Sequence, residues 1–328
     1  MRAQPITGWG AGPYPAPVDG APLRLAFVGQ KTFFEACALD EQSPRALTTF
    51  VEFRAGGDAE AMRARLDAFS PHVVVVFRPE VLPAGVFAGL RAAVLGFLTE
   101  PIPRTPGHRA HPDLKRRRAA LAAMDTGNVD RLVAFDPQIV PTADAFMPVW
   151  RSLPLPVADR LYAPVRPPSG RPSVLFVGRS TEHRERFLKR PKAELDLVHA
   201  AFGIGAGELG GLLAAHDIGV NLHNEPYPSF ENRVCLHLAA GQLVVSETLD
   251  PTHGLEPDID YLEVTDPDQL LSVLRTAVRF PQAYVRVRIR GRRKAEAFRA
   301  SHVYPRLVAD LLRDLKVFGT ERPGARRP

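Results

Sequence analysis

Short, mostly apolar runs alternate along this chain with stretches whose apolar positions recur at helical spacing. Leu23-Arg24-Leu25-Ala26-Phe27-Val28 closes on Gly29. A short apolar run ending in Gly is the usual first strand of an open α/β domain. His72-Val73-Val74-Val75-Val76-Phe77 predicts a second strand, apolar on both sides as in a parallel sheet covered on both faces. Between the two, Asp58 to Phe69 sets Ala61, Met62, Leu66 and Phe69 at helical spacing. Ala92 to Leu98 predicts a third strand, ending at Thr99-Glu100-Pro101. Residues 112–124 read as a helix and Arg131 to Phe135 as a fourth strand. The βαβα alternation predicts an α/β fold with a mostly parallel sheet.

Residues 137–172 interrupt this pattern with 9 of the chain's 32 prolines. Proline stiffens the backbone and blocks regular structure, so the segment reads as an interdomain connection. A second series follows. Ser173-Val174-Leu175-Phe176-Val177-Gly178 repeats the strand-then-Gly arrangement of residues 23–29. Helices are predicted at 206–215, at 231–240 with Gly241 as the stop, and at 268–279 with Asp266 and Pro267 opening it. Strands are predicted at 217–222, 243–246 and 261–264. Two open α/β domains joined by a hinge predict a cleft facing the strand ends.

Residues 284–299 present both periods. Val285, Val287 and Ile289 alternate with arginines, as in a strand, but Tyr284, Val287, Gly291, Ala295 and Phe298 share one helical stripe that outlasts the alternation. We therefore read a helix, with Gly291 marking close approach of a neighbour and the arginines on the remaining face. Tyr304 to Lys316 predicts a final helix, with Leu307, Leu311 and Leu315 on one side.

Composition narrows the classes. At 328 residues, 45% hydrophobic and 24% charged, the chain is globular and long enough for two domains. No apolar stretch approaches the ~20 residues that span a membrane, and Met1 to Gly20 lacks the apolar core of a secretory signal. Cys37 and Cys235 are its 2 cysteines, too few for a disulfide scaffold or structural zinc site. A cytoplasmic protein is the expectation. The net charge of +6 is matched by residues 281–300, with seven basic residues and one acidic. No nucleic-acid motif accompanies that charge, so no nucleic-acid partner is expected. The Arg face of 284–299 instead offers a surface for peripheral membrane contact.

The densest polar cluster is Asn221-Leu222-His223-Asn224-Glu225-Pro226-Tyr227-Pro228-Ser229-Phe230-Glu231-Asn232-Arg233. It joins a predicted strand end to a helix start, where open α/β sheets bind ligands and where backbone N–H groups favour an anion. Ser229, with Asn232 three residues on, nearly forms a capping box.

This strand, loop and helix, running on through Phe230-Glu231-Asn232-Arg233-Val234-Cys235-Leu236-His237-Leu238-Ala239-Ala240-Gly241, resembles the C-terminal domain of GT-B glycosyltransferases. It is most similar to their group-1-like and CgeB-like (spore-maturation-type) branch. Leu153 to Asp159 with Tyr162-Ala163-Pro164, Phe176-Val177-Gly178 with Arg184 or Arg186, and residues 281–315 fit the same pattern in order. The resemblance spans about 149–315; the N-terminal half agrees in organisation only. It departs at one place: the glutamate that the family places against the donor's ribose falls on Leu236, with His237 next and Glu231 the nearest acid. A neighbouring residue binds the ribose, or donor binding differs, or it is lost.

What the resemblance implies is a GT-B fold, two Rossmann-like open α/β domains facing a central cleft, and sugar transfer from a nucleoside-diphosphate donor. The acceptor would be a carbohydrate, lipid-linked or small molecule. No cofactor or metal is implied beyond the nucleotide-sugar as co-substrate; helix N-termini and basic side chains meet the leaving diphosphate. The expected donor-binding residues are Gly178, Arg179, Arg184, His223, Asn224, Glu225, Tyr227, Ser229, Phe230, Glu231, Asn232 and Arg233. For a catalytic base from the N-terminal domain, Glu100 is the first candidate and Glu35 the second, ahead of the loop residues His108 and His111; His223 is a third choice that reads better as a contact to donor or phosphate. Asp258-Ile259-Asp260 and Asp266-Pro267-Asp268 have metal-motif spacing but read as a turn and a cap. The organisation expected is a flexible arm (1–22), an acceptor domain (23–150), a linker (151–172), a nucleotide-sugar domain (173–300), a C-terminal helix packing back on the N-terminal domain (301–316) and a tail (317–328). The rival from another class is a non-catalytic GT-B-like binding or scaffold protein, favoured by Leu236.

Overall fold

The computed structural model describes residues 6–9, 15–17, 21–104, 112–167, 170–201, 204–224 and 227–320. The chain forms two units, Met1–Leu155 with Ala300–Pro328, and Pro156–Arg299.

In the first unit, Ile6–Trp9 (β1) pairs antiparallel with Pro15–Pro17 (β2). Those strands lie inside the segment read from sequence as an arm; residues 1–5, 10–14 and 18–20 lie outside the described residues. The main sheet holds Leu23–Gly29 (β3), Ala46–Glu52 (β4), Val73–Phe77 (β5), Ala93–Leu98 (β6), Arg131–Ala134 (β7) and Val149–Ser152 (β8). Their order is β4-β3-β5-β6-β7-β8, every neighbouring pair parallel. Helices Lys31–Phe34 (α1), Ala59–Phe69 (α2), Pro112–Ala122 (α3) and Val140–Ala143 (α4) connect the strands. The strands β3, β5 and β6 are apolar on both faces because both are covered. Leu25, Phe27, Val73, Val75, Phe77, Leu95 and Phe97 pack with Ala300, Tyr304, Leu307, Val308 and Leu311 of the long helix Ala300–Phe318. Ala26, Val28, Val74, Val76 and Val94 pack with Met62 and Leu66 of α2. The Tyr304 hydroxyl donates to the Cys37 carbonyl at 2.7 Å, which satisfies the buried polar end of a core residue.

The second unit is a five-stranded parallel sheet of Val174–Val177 (β9), Leu197–Ala200 (β10), Ile218–Asn221 (β11), Leu243–Glu247 (β12) and Leu262–Val264 (β13). Its order is β10-β9-β11-β12-β13. The helices are Glu182–Glu194 (α5), Ala206–Ala215 (α6), Asn232–Ala239 (α7), Pro267–Arg279 (α8) and Val285–Lys294 (α9); in chain order Ala300–Phe318 is then α10. Phe187, Leu188, Leu270 and Leu274 from α5 and α8 cover one face over Phe176, Val220 and Val245. The Asp266 side chain accepts from the Gln269 N–H, capping α8. Gly241 ends α7 at φ +72°, a left-handed position that favours glycine.

Two strands escaped the sequence pattern. Both β4 and β10 are edge strands carrying polar residues, so neither shows a continuous apolar run. The proline-dense segment hides a third, β8, which pairs with β7. The helix over 285–294 forms as the stripe predicts. A Cβ on Gly291 would lie 2.4 Å from the Asp260 carbonyl oxygen, so α9 packs against backbone there. The reading that all the arginines hold the outer face needs correction. Arg288 falls three residues before Gly291, on the buried stripe, and its Nε donates to the Gly241 carbonyl at 3.1 Å. Arg290 pairs with Asp260, and Arg292 donates to the Ala163 carbonyl and pairs with Glu296. Much of the basic helix therefore ties the unit together.

Candidate functional site

Renumbered within itself, the second sheet runs 2-1-3-4-5, so the strand order reverses between β9 and β11. Connections leave that point in opposite directions, and the crevice they open at the strands' carboxyl ends is where such sheets bind ligands. The two loops flanking it carry Gly178 to Ser180 and the polar cluster after Asn221.

Two arginines fill the floor of this crevice. Arg184 of α5 is 3% exposed; its Nε donates to the Leu222 carbonyl at 3.0 Å and its Nη1 to the Arg179 carbonyl at 3.1 Å. Arg233 of α7 is 8% exposed; it donates to the Asn221 side chain at 2.8 Å and to the Val177 carbonyl at 2.6 Å. Both guanidinium groups share the carboxylate of Glu231 and lie over the Phe176 ring. Burial, with Arg184 adding like-charge repulsion, pushes the Arg233 pKa well below its usual value. Gly178 roofs the pair at φ +151°, and a Cβ there would lie 2.4 Å from Arg233 Nη1. The glycine is needed both for its backbone angle and for the space above Arg233. Arg179 is exposed and its Nε reaches the Asn224 side chain at 3.5 Å.

A second network lies beside it. His223 is buried; its main-chain N–H donates to Glu247 at 2.7 Å and its Nε2 to the Thr248 carbonyl at 2.7 Å. Its Nδ1 then accepts from the Ser229 hydroxyl at 3.2 Å. Burial pushes the His223 pKa down, against the pull of Glu247. Ser229 is thus no helix cap: α7 begins at Asn232 and Glu231 occupies the capping position without a side-chain cap bond. The Ser229 hydroxyl instead serves His223, because the tight loop folds it inward. Tyr227 and Phe230 are buried, Phe230 edge-on to His253 at 4.6 Å and tilted against Phe298. Asn232 occupies the first position of α7, and Glu225 lies outside the described residues. Two residues here went unnoticed in the sequence, His183 and Glu247. His183 Nε2 donates to the Glu247 carboxylate at 2.9 and 3.1 Å.

Leu236, where the family pattern wants an acid, is buried, and its neighbour His237 is fully so. His237 sits against Gly219 with Nδ1 bonded to Gln242 Oε1 at 2.6 Å; burial pushes its pKa down to about 4. It is a core residue, out of reach of a ligand. The two acid pairs have structural partners. Asp258 Oδ1 accepts from the Glu263 N–H and Asp260 Oδ2 from the Glu256 N–H, while Asp266 caps α8.

In the first unit, Glu100 follows β6 and pairs with Arg117 at 3.0 Å and Arg78 at 3.9 Å. Arg78 also pairs with Glu80 at 2.9 Å. Glu80 has a 6% exposed side chain, one carboxyl oxygen buried with no hydrogen-bond partner, and a pKa raised by burial against the opposing pull of Arg78. Nothing local in the sequence marks it: it follows Pro79 in a single helical turn, Pro79–Val81. Glu35 lies in a helical turn and pairs with Lys31 at 3.4 Å. His108 and His111 lie outside the described residues.

Two open parallel α/β sheets, of six and five strands, are the architecture of the GT-B fold class of glycosyltransferases. The chain is similar over 89% of its length to the whole of HepE from Anabaena, solved with UDP and glucose, at TM-score 0.56 and 12% identity. It is similar to 99% of sucrose-phosphate synthase from Thermosynechococcus elongatus over 90% of its own length, at TM-score 0.56 and 12% identity. A glycosyltransferase from Rickettsia africae matches over 90% of this chain and 98% of its own, at TM-score 0.53 and 9% identity. At these identities the likeness is one of fold. No family model and no curated protein sequence matches the chain.

Proposed function

We propose that the chain is a metal-independent glycosyltransferase that takes a nucleoside-diphosphate sugar in the switch-point crevice of its second unit. The observation that carries this reading is the crevice itself. A glycine with no room for a side chain roofs two buried guanidinium groups, so the loop backbone at 178–180 lies over positive charge. A leaving diphosphate develops negative charge, and fixed positive charge beneath the loop stabilises it electrostatically without reorganisation. HepE, which shares the fold, was solved with UDP and with UDP-glucose. The acceptor would be a carbohydrate, lipid-linked or small molecule held by the first unit. There Glu100 stands at a strand's carboxyl end, with Glu80 buried beside the same Arg78. An N-terminal carboxylate would take the acceptor's proton if the reaction inverts configuration.

The second reading is a GT-B-like protein that binds but does not transfer. Leu236 favours it, since a buried leucine offers the ribose hydroxyls no acceptor. One experiment separates the two. Nucleotide-sugars with different bases and sugars are tested for turnover and for a thermal shift. Turnover supports the transferase, a shift without turnover supports the binding protein, and neither result refutes both.

A further inference from the structure

Arg184 and Arg233, two of the three arginines the sequence offers for the diphosphate, are buried and not presented to a ligand. Each of the three guanidinium nitrogens of Arg184 faces an acceptor in the protein: the Leu222 carbonyl, the Arg179 carbonyl and Glu231. The same holds for Arg233, with Asn221, Val177 and the Leu222 carbonyl with Glu231. Both guanidinium groups are buried, and drawing either out to a phosphate would strip main-chain carbonyls of their partners inside the fold, which costs the desolvation of each group left behind. These arginines stabilise the crevice by fixing its backbone and its potential; direct contact falls to another group.

His183 is placed for it. It lies in the first turn of α5, the helix that follows β9, and its side chain reaches the carboxylate at the end of β12. Because β11 stands between β9 and β12, the imidazole bridges across the carboxyl end of β11, beside the switch point. It is 38% exposed, unlike the arginines beneath it. The groups facing it are Glu247 from β12, His223 from the β11–α7 loop through their shared hold on Glu247, and Arg186 and Phe187 from its own helix. The Nε2–H donates to Glu247. That leaves Nδ1 as an acceptor, with Arg186 Nη2 at 3.3 Å as its donor. So the acceptor nitrogen of the ring is covered by an exposed, reorientable guanidinium.

An arriving phosphate reverses that arrangement. It attracts Arg186, and it presents only acceptor oxygens to Nδ1, so the ring can meet it only as an imidazolium. A carboxylate on the opposite nitrogen stabilises that cation and fixes its orientation. We propose that His183, oriented by Glu247, binds the diphosphate of the donor as an imidazolium and takes up a proton as nucleoside diphosphate binds. This rests on the nucleotide-sugar reading above and names the residue that recognises the diphosphate in it. Binding is then coupled to pH: the proton is taken up on binding, so affinity falls as pH rises.

The test is calorimetric titration of the full chain with UDP, GDP and ADP at pH 7.5, in buffers of different ionisation enthalpy, so that protons exchanged on binding are counted. Wild type, His183→Asn and Glu247→Gln are compared, with circular dichroism confirming that each variant is folded. For whichever nucleotide binds, wild type should take up a larger fraction of a proton than His183→Asn. That variant should bind about 10- to 100-fold more weakly, the range expected for losing a hydrogen bond to a charged group. Glu247→Gln should lower the proton count too, because a carboxamide stabilises no imidazolium. Equal affinity and equal proton count in wild type and His183→Asn would overturn the proposal. So would weaker binding by His183→Asn with an unchanged proton count, which would make the ring a neutral contact. Binding of none of the three nucleotides would instead overturn the nucleotide-sugar reading, and this inference with it.

Discussion

Replacing Gly178 by alanine tests the geometry of the crevice directly. Two costs add. The backbone there sits at φ +151°, which side-chain-bearing residues rarely adopt, and holding a non-glycine residue in such a region costs about 1–3 kcal/mol. The new Cβ would also lie 2.4 Å from Arg233 Nη1. That nitrogen cannot simply retreat, because it is bonded to the Val177 carbonyl at 2.6 Å while Nε holds Asn221 at 2.8 Å. Moving it breaks a buried hydrogen bond worth about 1–2 kcal/mol. The expected loss is about 2–5 kcal/mol. At roughly 3 °C per kcal/mol for a unit of this size, the unfolding temperature of the second unit falls by about 6–15 °C. Gly211 is the control: it lies within α6, with no neighbour within 4 Å of an added Cβ, so alanine there should stabilise by about 0.5–1 kcal/mol. Both trp residues, Trp9 and Trp150, belong to the first unit, so tryptophan fluorescence would miss the effect and calorimetry is the assay. A Gly178→Ala protein within about 0.5 kcal/mol of wild type would refute the reasoning, since that is the ordinary scatter of surface substitutions.

Three further outcomes follow from the packing. His237 is neutral when folded, with a pKa of about 4 against 6.5 for an ordinary histidine. The unfolded chain then binds the extra proton, so this stability is present above pH 6.5 and is lost as pH falls toward 4. About 2 kcal/mol should go between pH 7 and pH 5; urea midpoints at the two pH values should show it, and His237→Leu should flatten the dependence. Glu80 has the opposite sign: its folded pKa is raised, so its ionisation opposes folding as pH climbs through that value. Glu80→Gln should lessen the loss of stability on raising pH, and an unchanged slope would show that its burial is relieved by something else. Arg288→Met removes the buried donor to the Gly241 carbonyl at the end of α7 and should cost about 1–3 kcal/mol in chemical denaturation, whereas exposed Arg293 should tolerate the same change within about 0.5 kcal/mol.

Hydrophobic patterning by itself determined a good deal of this protein. The apolar runs of β3, β5, β6, β9 and β12, the periodic helices between them and the Asp266–Pro267 cap are local features. Local sequence carries them because covered parallel strands must be apolar throughout and helices must present one apolar side. Edge strands β4 and β10 escaped because one side of each meets no neighbour, so no uninterrupted run is required. The polar loop after Asn221 was legible as a candidate site for the same reason: a strand end, seven or more polar residues and a helix start stand together in the sequence. What each of those residues does was not legible. Arg184, Arg186 and His183 lie within four positions and look alike as surface charge. Yet Arg184 is buried on the Leu222 carbonyl, 38 residues away, and His183 is held by Glu247, 64 residues away. Arg288 and Arg290 part in the same way, one on a carbonyl 47 residues distant and the other on Asp260. Hydrogen-bond partners at such separations exist only once the sheet is assembled. Tertiary structure therefore decided which charges brace the fold and which remain exposed.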